Sequence, residues 1–116
     1  MAAAKYNLTI EQGATFKKSV TIKDTTTNAV RDITNFDVRG MVRVSYEDTD
    51  PIVVFTCYST APTTGVFYVE LDSGQTALLD FEAAVYDIEL VEKYTSPENV
   101  ERLMQGNVYL SKEATK

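Results

Sequence analysis

The chemistry open to this chain is limited first by a residue it lacks. No histidine occurs among its 116 residues, which removes the usual general base near neutral pH, every Ser-His and Cys-His pairing, and most zinc and iron sites. The single cysteine, Cys57, stands in the apolar run IVVFTCY, where a buried, unreactive thiol is expected rather than a nucleophile. The five glycines are scattered and form no phosphate-cradling loop. Carboxylates remain. Glu47, Asp48 and Asp50 cluster in one stretch, and Asp72, Asp80 and Glu82 flank another, so either trio offers hard oxygen ligands of the kind calcium takes. The spacing of an EF-hand loop is missing, and both trios read as solvated surface. A glycosidase-type carboxylate pair needs a cleft that a small β-domain rarely provides. No catalytic, cofactor-binding or metal residue is assigned, no cofactor is expected, and the protein is read as non-enzymatic.

Binding chemistry has more to work with. Among the seven tyrosines, Tyr58, Tyr68, Tyr94 and Tyr109 include some whose strand parity points away from the core, and aromatic rings on a sheet surface stack on sugars or pack against another protein. A glycan-binding module is therefore one reading and a protein-binding surface another. With 17 acidic against 11 basic side chains the net charge is −6, which repels a phosphate backbone and argues against nucleic acid as a partner.

These residues must be positioned by strands. Tyr6, Leu8 and Ile10 alternate with Asn7, Thr9 and Glu11, the period-two signature of a half-buried strand. Gln12-Gly13 permits a bend. Phe16, Val20 and Ile22 mark a second strand, with Lys18 breaking its apolar parity, and the polar stretch from Asp24 to Asn35 reads as a surface loop. The even positions from Phe36 to Tyr46 form a third strand's core face, ended by Pro51. Ile52–Tyr58 is apolar on both parities, so it is buried on both faces or lies under a partner. Pro62 and Gly65 flank a turn, and Phe67, Val69 and Leu71 mark the next strand. Asp72 with Gln75 three residues on resembles a capping box and predicts one or two helical turns.

The C-terminal quarter organises the rest. In VYDIEL, Tyr86, Ile88 and Leu90 share a core face and Asp87 and Glu89 the wet one. In NVERLMQGNVYL, Val100, Met104, Val108 and Leu110 share a parity, and Gly106 suits a bulge or bend. The connector Thr95–Asn99 carries Pro97 in a turn. The expectation is an all-β domain over 1–116, with tails at 1–5 and 112–116: a seven-stranded antiparallel immunoglobulin-like sandwich with one short helical turn between strands 5 and 6. Tyr86 near the start of its strand suits either a corner tyrosine, its hydroxyl bonding backbone just upstream, or a plain core aromatic with its hydroxyl at the rim. Since the start MAAAKYNLTIEQ lacks the apolar stretch of a signal peptide and no run approaches about 18 apolar residues, neither export by that route nor membrane insertion is expected.

The order YNLTIEQGATFKKSVTIKD, RDITNFDVRGMVR, AVYDIEL and ERLMQGNVYLSKEATK resembles a recurrent type of small bacteriophage virion protein, similar to N-terminal attachment domains of tail-fibre and baseplate proteins. The resemblance rests on Gln12-Gly13 followed by Phe16, on Asp32-Ile33-Thr34 followed by Phe36, on Tyr86-Asp87-Ile88, and on Arg102-Leu103 followed by Gly106. It implies a structural protein of the virion, made in the host bacterial cytoplasm. Such a protein would act in multiple copies on other virion proteins in the tail or baseplate, or as a capsid decoration protein of the same fold. By itself it is expected to be a monomer or weak homo-oligomer. Longer relatives of this type continue into a fibre, so an end at SKEATK points to a stand-alone adaptor or decoration role.

Because the acidic stretch at Glu47, Asp48 and Asp50 is read as solvated, millimolar calcium or a chelator should leave the melting temperature unchanged. A clear rise with calcium in a thermal melt overturns that reading.

Overall fold

Period-two patterning becomes strands wherever the polar side of the alternation has water to face. A computed structural model describes residues 4–24 and 26–114. Residues 1–3 and 115–116 of the expected tails, and Thr25 of the expected loop, lie outside the described residues. The N-terminal run divides into β1 (Ala4–Lys5) and β2 (Leu8–Glu11). After these come β3 (Phe16–Thr21) and β4 (Phe36–Arg43). Ile52–Tyr58 also divides, into β5 (Val53–Val54) and the start of β6 (Thr56–Ala61). A 3-10 turn at Pro62–Thr64 leads to β7 (Val66–Leu71), helix α1 (Ser73–Ala77), β8 (Ala83–Glu92) and β9 (Val100–Ser111).

Two sheets result. One has the order β1-β9-β8-β4-β5 with β2 also on β9, and the other is β3-β7-β6. Their inward faces share one core that includes Ile10, Val42, Tyr86, Ile88, Phe67 and Val69. The chain is thus all-β with a short helix, and α1 sits between β7 and β8. Its capping box forms as the sequence predicts: Asp72 Oδ1 accepts from Gln75 N at 2.7 Å and Gln75 Oε1 from Asp72 N at 2.9 Å.

Several expectations are corrected. The strands are not all antiparallel, because β1 and β2 both run parallel to β9, Ala4 opposite Met104 and Leu8 opposite Val108. Ala4 and Lys5, expected in a tail, therefore belong to a sheet. The two runs counted as single strands are broken: Ile52–Tyr58 changes sheet at Phe55, which is 4% exposed, with β5 paired to β4 and β6 to β7. Gly40 makes room for that crossing, since a Cβ there would stand 3.2 Å from the Phe55 ring and 2.9 Å from the Asp87 carbonyl. Strand β4 stops at Arg43, and Val44 and Tyr46 leave the core parity for the surface.

The bulge in β9 is at Leu103 rather than Gly106. The pairing with β8 slips between Ile88–Met104 and Glu89–Arg102, leaving one extra residue on β9. It also shifts the parity, which puts Val100 at the surface while Met104 and Val108 stay buried. Gly106 serves close approach instead: an added Cβ would stand 2.3 Å from the Tyr6 carbonyl oxygen. The same oxygen accepts the Tyr86 hydroxyl. That bond reaches the N-terminal strand segment, so Tyr86 is not a corner tyrosine bonded just upstream.

The loop before β4 is more ordered than its composition suggests. Lys23 bridges Val30, the Asp24 carboxylate accepts from Thr26 N at 2.7 Å, and Ile33 is buried in the core.

Replacing Gly106 by alanine should lower unfolding free energy by about 1–3 kcal/mol, the usual range for overpacking. Gly74→Ala, where the nearest atom is the Asp72 carboxylate at 3.3 Å, should not. Denaturant titration of both variants checks this, and equal stabilities would contradict the close approach of Tyr6.

Candidate binding face of the large sheet

The outward face of β4, β8 and β9 carries a cluster of charged groups. Alternation puts Arg39, Met41 and Arg43 of β4 on the side away from the core, opposite Glu89, Asp87 and Val85 of β8. Arg102 reaches the same face from β9. Arg39 Nε donates to Glu89 at 2.8 Å, and this bond holds the guanidinium above its ordinary pKa. Arg102 Nε stands 3.5 Å from Asp87 Oδ2. Half-burial raises the Asp87 pKa, reinforced by the neighbouring Glu89 charge and opposed by Arg102, Arg43 and Arg39.

A concavity of about 450 Å³ opens here, lined by Met41, Arg43, Tyr46, Val85, Asp87 and Arg102 among others. Arg43 Nη1 donates to the Asp48 carbonyl at 2.9 Å, Nη2 meets the Met41 sulfur at 3.0 Å, and Nε is buried with no acceptor among the described residues. Tyr46 folds back so that its hydroxyl lies 3.4 Å from the Gly106 carbonyl. The lining mixes the apolar Met41 and Val85 with charged side chains, whose guanidinium groups are engaged within the molecule by Asp87, Glu89 and the Asp48 carbonyl.

The residues singled out from sequence are dispersed. Glu47, Asp48 and Asp50 are all exposed. Asp72 caps α1, Asp80 pairs with Lys112 at 3.3 Å, and Glu82 is exposed. Among the described residues no group of three or more carboxylates or thiols gathers closely enough to hold a metal. Burial pushes the Cys57 thiol up to about 11, which keeps it protonated and poorly nucleophilic at neutral pH. It lines a second concavity, of about 310 Å³, between β4 and β6.

Of the four tyrosines, Tyr58 and Tyr68 meet as cross-strand neighbours, centroids 5.3 Å apart. Lys17 Nζ lies 4.8 Å from the Tyr68 centroid. Each ring is engaged by the other and by that ammonium, a sheet-stabilising cross-strand pair. Tyr94 stands in the β8–β9 turn, 95% exposed, and Tyr109 on β9.

Sequence reasoning missed the arginine face. The signal was present in the odd positions of β4 set against the odd positions of β8, opposite in sign. Only the pairing register brings them together.

No family model matches the chain, and no curated protein matches it.

The Asp87 shift has a stability consequence with a definite sign. A carboxyl whose folded pKa is raised disfavours the native state above that pKa, and the penalty vanishes as pH falls below the unfolded value near 3.8. Asp87→Asn should therefore be more stabilising, relative to the parent, at about pH 7 than at about pH 3. Urea titrations at both pH values test this. The opposite order would mean that the three arginines outweigh burial.

Proposed function

We propose that this chain is a non-enzymatic bacteriophage virion structural protein, an adaptor of the tail, baseplate or fibre attachment that works by protein–protein binding, built as an immunoglobulin-like β-sandwich. The sheet orders support the fold assignment. With β3, β4, β6, β7, β8 and β9 taken as strands B to G, the sheets read B-E-D and G-F-C, the partition of an immunoglobulin domain, with α1 at the corner between E and F.

One observation carries the functional reading: the residues behind the virion-protein resemblance hold the joints of this fold. Gln12 links β2 to distant chain, donating to the Leu79 carbonyl at 2.8 Å and accepting from Glu113 N at 3.1 Å. Asp32 accepts from Thr34 N at 2.9 Å, which turns the chain so that Ile33 plugs the core before β4 begins. Tyr86 and Gly106 seat the N-terminal strand segment. Exposed apolar side chains at Val44, Tyr46 and Val54 supply surface suited to docking on neighbours. A capsid decoration role uses the same fold and the same kind of contact.

Virions purified and split into heads and tails, with the protein quantified by mass spectrometry in each fraction, test the proposal. It is expected in the tail fraction at about one copy per symmetry unit or more. Recovery with heads selects the decoration role, and absence from virions overturns both.

A further inference from the structure

The outer edge of β4 is only partly paired. Backbone groups alternate across an antiparallel strand. The odd positions face β8, with the Asn35 carbonyl accepting from Lys93 N at 2.8 Å just before β4 begins, and the even ones face away from it. On that outer side the Gly40 and Val42 carbonyls accept from Phe55 N at 2.9 Å and Ile52 N at 2.7 Å. Strand β5 pairs with Met41 and Val42 alone, so among the described residues no strand lies beside residues 36–39 on this side. Val38, an even position, directs its N–H and C=O to that strip, and an unpaired donor and acceptor at a sheet edge are a template for another strand. The strip is open to approach, since Phe36, Asp37 and Val38 line the concavity of about 310 Å³ whose far wall includes Cys57 and Tyr58.

The charges on this strip select its occupant. Other long edges are defended against pairing, β3 by Lys17 and Lys18 and β6 by a register slip against β7 between Tyr58 and Ala61. On β4 the two outward charges are opposite in sign and two residues apart. The Asp37 side chain is 72% exposed and stands 3.7 Å from Lys93 Nζ. The Arg39 side chain, 46% exposed, bonds Glu89 through Nε and leaves Nη1 3.7 Å from Glu98. An antiparallel copy of the strip, related by a two-fold axis at Val38, sets each Asp37 opposite Arg39 of the other copy. Moving the axis one residue either way sets Asp37 against Asp37 or Arg39 against Arg39, and like charges directly opposite are destabilising. The register that matches the charges is also the one in which the two Val38 residues exchange both backbone hydrogen bonds. We propose that two copies of this chain associate edge to edge through β4, antiparallel about Val38, so that the large sheet runs on across a two-fold axis and the Val38 side chain of each copy lies in the concavity of the other. The inference does not depend on the virion assignment, and its test uses the isolated full-length chain.

Sedimentation equilibrium of the parent and two charge variants tests it. The parent is expected to form a concentration-dependent dimer. Asp37→Lys and Arg39→Glu each set like charges across the axis and should weaken self-association on the order of tenfold. Mixed in equal amounts, the two variants restore both opposite-charge contacts and should associate more tightly than either alone. Asp37→Lys also lowers the general repulsion between acidic chains, so a non-specific association would strengthen with it instead. If Arg39→Glu fails a thermal melt, amide hydrogen exchange of the parent carries the test, because the Val38 amide should exchange more slowly as concentration rises. A monomer at every concentration, a mixture no tighter than its separate components, or a Val38 amide indifferent to concentration overturns the proposal.

Discussion

A phenol in the middle of β8 ties together parts of this molecule that are far apart in sequence. The Tyr86 ring lies 1% exposed in the core, edge-on to Phe55 at 6.4 Å, and its hydroxyl donates to the Tyr6 carbonyl. Phe55 is where the chain passes from one sheet to the other, and Tyr6 is where β1 gives way to β2. One side chain thus fixes both the sheet crossing and the seat of the N-terminal strand. Burial raises the Tyr86 hydroxyl pKa to about 12, so it remains a donor at any physiological pH. The aromatic body supplies apolar area while the hydroxyl satisfies a backbone carbonyl, a combination that neither Phe nor a shorter polar residue provides.

Seating that strand brings a second constraint. The parallel approach of Tyr6 to β9 needs a residue without a Cβ at Gly106, and Asn7 completes the contact by accepting from Asn107 N at 3.0 Å. Leu8 and Ile10 then enter the core at 4% and 0% exposure. From there the chain turns at Gly13, φ +81°, and crosses to the small sheet as β3. Of all the contacts between elements, this parallel pairing is the most non-local, because it joins the first strands to the last.

The two faces of the large sheet divide the work. Inward, Val42, Tyr86, Ile88, Leu90 and Val108 build the core. Outward, Arg39, Arg43, Asp87, Glu89 and Arg102 form a charge grid whose exposed pairs contribute at most about 1 kcal/mol each. Since both faces are encoded on the same strands, the charged groups of the outward face are held by rigid elements.

The all-β class, the strand faces of β2, β3, β7 and β8, and the capping box of α1 were all legible in the sequence, because each depends on neighbours within a few residues. Period-two alternation assigned Leu90 and Ile88 to the core, and both are 1% exposed. What the sequence left open was decided at long range. The parallel seat of Ala4–Lys5, the sheet change at Phe55, the bulge at Leu103 and the partner of the Tyr86 hydroxyl all join residues remote in the chain. No local propensity separates a parallel from an antiparallel partner. Nor can alternation foresee an extra residue in one strand of a pair, because a bulge is defined only against the strand beside it. The arginine face follows the same rule: Arg39, Arg43 and Arg102 are scattered in sequence and become one surface only through the registers of β4 and β9 on β8.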